Sequence, residues 1–294
     1  MNKNTTCLLS STTDLRPLKG YEKHNLVKSY PLGFVFCLEI PSEEDLINHY
    51  QKYSRVDYLS PVTIKRYNEL LDDFEKYRKT GNLLDIGCGT GLFLESARRR
   101  GWNVYGTEYT DSAIEICKSK GFTMNQGKLN KSWYKADMFD VIISFEVIEH
   151  INNPIEEVRN INSILRPGGL FYFTTPNFNS IERRILKENY NVIQYPEHLC
   201  YYTARTINYL LENHGFKRKK LNTTGISMTR IRTSRDLKKG MPMSESLISS
   251  SSSDEKIRRQ LESNYFGLIL RKMLNFFLNI FRLGNSLKGW YVKE

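Results

Sequence analysis

Residues 83–91, Leu-Leu-Asp-Ile-Gly-Cys-Gly-Thr-Gly, carry an apolar strand into a turn with glycines at alternate positions, and the helix-forming run from Leu92 follows directly. Glycine accepts positive φ and lets a ligand come close to the backbone where a Cβ would clash. In an open α/β sheet the first strand-to-helix turn is where nucleotide-like ligands bind, outside the carboxyl ends of the strands. Here Gly87, Gly89 and Gly91 stand at offsets 1, 3 and 5, and Asp85 precedes the first by two residues. The dinucleotide fingerprint has a different spacing, and no Gly-Lys-Ser/Thr follows, which excludes a phosphate-cradling P-loop.

The pattern around this turn alternates. Strand-like apolar runs lie at 83–86, 103–107, 140–144 and 170–174, with helical stretches at 92–100, 113–120, 155–165 and 206–214. Glycines end three of these helices. Repeated strand–helix units predict an α/β fold, a parallel sheet covered by helices on both faces. Upstream, 61–79 reads as an amphipathic helix, Ser42 with Glu44 and Asp45 as a helix start, and 1–41 as turn-rich with one strand-like run at 34–38. The five serines at 249–253 read as a flexible linker. With 40% apolar residues the chain can bury a core, so a wholly disordered chain is excluded. Five cysteines without a CxxC pair argue against a disulfide framework and fit a reducing cytoplasm. No apolar leader or long uncharged apolar run is present, so neither a signal peptide nor a transmembrane helix is expected.

Four stretches in order resemble class I S-adenosylmethionine (SAM)-dependent methyltransferases. DIGCGTG at 85–91 is similar to that family's SAM loop, and GTEYTDSAI at 106–114 to its ribose-binding strand end. FDVIISFEVIEHI at 139–151 is similar to its fourth strand and following turn, and LRPGGLFYFTTPN at 165–177 to its fifth strand. The resemblance implies a Rossmann-like, doubly wound, mostly parallel seven-stranded sheet, with residues 1–60 as an N-terminal extension and 61–294 as the methyltransferase domain. It implies SAM as cofactor, held by Asp85, Gly87, Cys88, Gly89, Gly91, Glu108, Tyr109, Leu129 and Phe145. A carboxylate at the second strand's end, Glu108, can accept bonds from ribose hydroxyls; the plainer reading is a helix cap. Cys88 reads as a small packing residue. The family often carries an acid after the third strand, where this chain has Lys128.

Since SAM brings its own electrophile, the protein has to align an acceptor and manage its proton. Glu146, Glu149 and His150 would share one face of a helix's first turn, and two carboxylates with an imidazole suit Mg²⁺ or another divalent cation. The Glu-x-x-Glu-His pattern resembles ubiquinone-pathway O-methyltransferases and small-RNA 2′-O-methyltransferases. In the latter a downstream His completes a metal site, and His198 stands in such a place. The expected metal set is therefore Glu146, Glu149, His150 and His198, with His198 and His150 as catalytic residues; His198 is the leading general base if no metal binds. A fold-stabilising role for Glu149 and His150 is the alternative.

The N-terminus resembles the zinc-ribbon segment of some sugar and polyketide methyltransferases with its ligands lost. Cys7 matches one ligand, but Ser10, Ser29 and Leu32 fill the other places, so no zinc is expected. The entire +11 net charge sits in residues 214–294, with 17 Lys and Arg against 6 Asp and Glu, while 1–213 balance at 26 each. A basic end on a neutral body suggests an anionic partner for that end. Residues 265–283 read as a helix with Arg271, Lys272, Asn275, Asn279 and Arg282 in one polar stripe and apolar residues elsewhere. Its apolar face could fold over the acceptor pocket, meet another subunit or lie on an anionic membrane with the stripe toward the headgroups. Residues 285–293 resemble the family's final antiparallel strand, which makes 226–284 a helical insertion. The expected protein is a cytoplasmic methyltransferase acting on a hydroxyl of a small molecule, a sugar or glycoconjugate, by resemblance to zinc-ribbon-bearing relatives and to cell-surface polysaccharide methyltransferases. An RNA 2′-O-methyltransferase or a non-catalytic SAM-fold binding protein are the alternatives. Against nucleic acid, no basic-aromatic stacking segment flanks the motifs.

Overall fold

Strands that are apolar on both faces can be satisfied only between two layers of helices, and the first and fourth strands of the central sheet are of that kind. In a computed structural model that describes residues 2–42, 44–46, 61–238 and 265–294, β1 (Asn82–Ile86) and β4 (Phe139–Phe145) are buried along nearly their whole length. They pair in parallel with each other and with β2 (Asn103–Glu108) and β5 (Leu165–Pro176), and β3 (Thr123–Gln126) lies parallel to β2. β7 (Ser286–Lys293) runs antiparallel between β5 and β6 (Phe216–Thr224). The order is 3-2-1-4-5-7-6 in one seven-stranded sheet, the doubly wound class expected. The antiparallel final strand lies where the sequence motif places it. The 249–253 serine run lies outside the described residues.

Each face carries its own apolar layer. Helices α1 (Pro61–Glu75) and α2 (Leu92–Arg99) bring Leu71, Phe74, Phe93 and Leu94 onto one face, where Trp102 and Tyr172 are also buried, and α3 (Asp111–Ser119) adds Cys117. Helices α4 (Pro154–Ile164) and α6 (Ala204–Glu212) bury Val158, Ile161, Ile207 and Leu210 on the other. The short α5 (Ile181–Leu186) precedes α6. The N-terminal segment packs on this second face through Cys7, Leu9, Leu32, Phe34 and Phe36. Two of the four positions matching ribbon ligands, Cys7 and Leu32, are thus part of the apolar core. This segment forms a four-stranded antiparallel sheet from Leu15–Pro17, Leu26–Ser29, Val35–Cys37 and, from far along the chain, Cys200–Tyr201.

The basic end is not a tail. Lys217, Arg218, Lys219 and Lys220 sit inside β6, the edge of the central sheet, and are exposed. An edge strand with one solvated side does not need an apolar pattern, and for that reason the pattern did not announce it. The insertion contributes α7 (Met228–Lys238) and α8 (Tyr265–Ile280). The stripe on α8 faces inward: Asn279 Oδ1 accepts from Thr223 N–H at 2.9 Å, Asn275 Oδ1 from Gly225 N–H at 2.9 Å, and Arg282 Nη1 donates to the Leu221 carbonyl at 3.0 Å. These bonds satisfy the open backbone edge of β6. The expectation of a solvent- or headgroup-facing stripe is therefore corrected for Asn275, Asn279 and Arg282; the Arg271 side chain lies outside the described set. No helix among the described residues is long and apolar enough to cross a membrane.

At the base of the sheet, buried Asp140 ties three strands together. Its Oδ2 accepts from the Lys79, Thr80 and Gly81 N–H groups at 2.7 Å each, and its Oδ1 from Arg166 Nε at 2.6 Å. These donors hold its carboxyl below the ordinary range against the opposing effect of burial. Asp140→Ala leaves Arg166 and three N–H groups without their acceptor. The expected loss is about 3–5 kcal/mol, read as a lower urea midpoint with an unchanged slope.

Candidate functional site

The carboxyl ends of β1, β2 and β4 open into one cavity of about 760 Å³. The glycine turn forms its floor. Gly87 and Gly89 have φ of 69° and 55°, a region open to glycine. Gly87 also has no room for a Cβ, which would lie 2.6 Å from Val147 Cγ2. Glu108 closes the turn: its Oε2 accepts from Gly89 N–H at 2.9 Å, and its Oε1 from Tyr109 and Thr110 N–H at 2.7 and 3.1 Å. A carboxylate held this way presents its remaining lone pairs to the cavity it lines. Asp85 also lines the cavity, and its Oδ1 is buried with no partner among the described residues. Burial, with Glu108 nearby, pushes its carboxyl well above the ordinary range. An unpaired buried acceptor of this kind is the arrangement a ligand donor would complete.

Of the residues predicted to hold the cofactor, Asp85, Gly87, Cys88, Gly89, Glu108, Tyr109 and Phe145 line the cavity. Gly91 and Leu129 do not. Gly91 begins α2 with φ of 76°, and a Cβ there would meet Cys117 and Phe122, so its glycine serves helix packing. Leu129 is buried in the core, and its carbonyl accepts from Asn160 Nδ2 at 3.4 Å. Lys128 does line the cavity and pairs with Glu156 at 2.8 Å, which places a neutralised pair where the family pattern has an acid. The Cys88 thiol is pushed up, first by its contact with Cys117 and then by burial, as suits a packing residue.

At the other end of the cavity three side chains converge. One donor atom each from Glu149, His150 and His198 falls within 4.8 Å of the others. The imidazoles meet edge to face with centroids 4.8 Å apart. His150 Nδ1 lies 2.7 Å from the Glu197 carbonyl and His198 Nδ1 2.8 Å from the Val192 carbonyl. A carbonyl only accepts, so each Nδ1 carries a proton, and in the neutral ring the lone pair is then on Nε2. Glu149 is buried; Thr175 Oγ1 donates to its Oε2 at 2.9 Å, while Oε1 has no hydrogen-bond partner among the described residues and lies 4.0 Å from His150 Nε2. Burial and Glu146 raise its carboxyl well above the ordinary range. The N-terminal sheet sets this geometry: Leu199 N–H donates to the Glu149 carbonyl, and Cys37 N–H donates to the Leu199 carbonyl, both at 2.9 Å.

Glu146 does not share a helical face with Glu149 and His150, as the spacing suggested. Strand β4 ends at Phe145, Glu146 takes a left-handed φ of 54°, and only a single 3₁₀ turn, Ile148–His150, follows. Its carboxylate lies 3.7 Å from Arg230 of α7. Arg230, which lines the cavity from within the insertion, was not foreseen; nothing in the sequence near it marks a site.

The family model described as "Methyltransferase domain" matches residues 58–220. The chain belongs to the methyltransferase domain family. Among curated relatives, a ubiquinone biosynthesis O-methyltransferase of Coxiella burnetii is 28% identical over 145 residues, covering 46% of this chain and 58% of that protein. One of Roseobacter denitrificans is 30% identical over 131 residues, covering 42% and 52%. The chain thus spans about half the length of the curated relatives it matches. Two solved structures share the fold. A SAM-dependent methyltransferase of Archaeoglobus fulgidus has a TM-score of 0.51 at 17% identity, covering 86% of this chain and all of that one. A phosphoethanolamine N-methyltransferase of Haemonchus contortus, solved with S-adenosyl-L-methionine, has a TM-score of 0.53 at 19% identity, covering 88% and 61%.

Burial, and secondarily His150, lowers the His198 imidazole to about 3. An unfolded histidine takes up its proton near pH 6.5. Between those values the unfolded chain binds more protons than the folded one, so this group's contribution to stability falls as pH falls from about 6.5 toward 3. In the folded protein the His198 Cε1–H resonance should keep its neutral position through the range where exposed histidines titrate. A midpoint near 6.5 in an NMR titration would contradict this environment.

Proposed function

We propose that the chain is a SAM-dependent methyltransferase that transfers the methyl group to a hydroxyl, assisted by a divalent cation, on a sugar or glycoconjugate acceptor. The observation that carries the reading is the placement of Glu149, His150 and His198 in the same cavity as the glycine turn and Glu108. When bound, SAM supplies an electrophilic methyl on a sulfonium. Glu108 would take the ribose hydroxyls, and the glycine turn would leave room for the nucleoside. Asp85, whose buried oxygen wants a donor, and the Glu108 carboxylate both fit a ligand of that chemistry.

At the acceptor end, Glu149 Oε1 and the Nε2 atoms of His150 and His198 form a mixed O/N donor set that fits Mg²⁺ or Mn²⁺. Such an ion lowers the pKa of a bound hydroxyl. Backbone carbonyls fix both ring tautomers, and Thr175 fixes the carboxylate, the second-layer support that metal-ligating groups rely on. The low basicity of His198 favours this use over an unassisted general base, which works best with a pKa near the working pH. Leu46, Tyr67, Glu146 and Arg230 also line the cavity and would meet the acceptor. Such a mixed lining suits a polyol, and it supports the sugar reading drawn from the sequence.

Calorimetry tests the cofactor half. Glu108→Gln should weaken SAM binding by about 1.5–3 kcal/mol, the value of hydrogen bonds to a charged group; an unchanged affinity would reject the assignment. For the metal half, Mn²⁺ should raise the melting temperature of the wild type but not of His150→Ala or His198→Ala, and methyl transfer should stop in EDTA and resume with Mg²⁺ or Mn²⁺. Full activity in chelator would remove the cation from the mechanism.

A further inference from the structure

We propose that the outer face of α8 docks on an anionic phospholipid bilayer. The helix is amphipathic in the reverse sense for a soluble protein. Asn275, Asn279 and Arg282 are spent on the backbone of β6, and among the described side chains of the helix only Leu278 is fully buried. The described large apolar side chains on the remaining face point outward: Leu270 is 54% exposed, Met273 53%, Phe276 62%, Phe277 51%, Ile280 54% and, just past the helix, Phe281 63%. At about 100° per residue these side chains fill an arc of about 140°. Turning the helix over would bury them, but it would strip the edge strand of its acceptors and donors. A continuous exposed surface of this kind marks an interaction site.

Charge selects the occupant. Neither α8 nor β6 contains an Asp or Glu. Lys272 is exposed at the border of the apolar arc. Because Arg282 pairs with Leu221 and Asn275 with Gly225, α8 runs antiparallel to β6. The exposed Lys217, Arg218 and Lys219 therefore continue past the C-terminal end of the helix. The Leu283 carbonyl accepts from Ile181 N–H at 3.1 Å, which brings α5 alongside with Ile185 69% exposed beside exposed Arg184. The result is an apolar ridge bordered by cations with no compensating acid on α8 or β6. A second copy joined about a two-fold axis would set these like charges against each other. An anionic headgroup layer satisfies both parts: the aromatic ridge sinks to the acyl boundary, and the lysines meet phosphates.

The test uses the full chain and sedimentation with vesicles of phosphatidylcholine, alone or with phosphatidylglycerol. The wild type should partition at least about tenfold better onto the anionic vesicles at low salt, and lose most of that preference as screening rises. Phe277→Glu with Phe281→Glu should abolish binding to both vesicle types. Lys217→Gln, Arg218→Gln and Lys219→Gln together should remove only the preference for anionic lipid. SAM affinity and the circular dichroism spectrum should be unchanged in all variants, which separates this inference from the enzymatic reading. Absence of wild-type binding to anionic vesicles at low salt would overturn the proposal. So would a stable dimer in sedimentation equilibrium that the two Phe→Glu changes dissociate.

Discussion

Asp140 is the fixed point of this fold. A carboxylate buried among three successive N–H groups and a guanidinium can be satisfied only if the starts of β1, β4 and β5 stand at one height. Their carboxyl ends then reach the opposite rim together. There Gly87 turns, β4 runs out at Phe145, and Thr175 of β5 meets Glu149. The cavity is the outcome of aligning three strands from below.

A second alignment comes from outside the sheet. Residues 197–199 carry no regular structure, yet they supply His198 and the carbonyl that orients His150. They are held between the turn after β4 and the N-terminal strand Val35–Cys37 by the two backbone bonds of Leu199. The N-terminal extension therefore helps to position the histidine pair without lining the cavity through its strands. It fixes the peptide on which a ring nitrogen depends, and errors of an ångström at such a nitrogen are costly.

Much of this was legible in the residues, and the remainder was hidden for identifiable reasons. Buried strands and a glycine turn leave strong marks, since burial demands an apolar run and positive φ demands glycine. The fold class, the cavity floor and the meeting of His198 with Glu149 and His150 followed from those marks and the family pattern. The path of the chain at Glu146 did not: Glu-x-x-Glu-His reads as a helical face, and only the left-handed φ after β4 turns the first carboxylate toward Arg230. Strand β6 has no apolar run of its own, because an edge pays no penalty for lysine, and only its place before the 226–284 insertion marked it. The stripe on α8 was correctly periodic, but periodicity does not say which face meets the protein. Here the polar one does, because backbone at a sheet edge needs partners more than the helix needs its apolar face covered.

The N-terminal sheet contributes three of its strands from residues before 40 and takes its fourth, Cys200–Tyr201, from the segment that follows His198. Neither part is therefore an interchangeable cassette. Grafting this extension onto another methyltransferase would leave Val35–Cys37 with an open edge. Grafting a foreign extension here would leave the peptide that orients His150 without its backing strand. The two halves share a strand, and any rearrangement of the gene that separated them would have to rebuild the histidine pair as well.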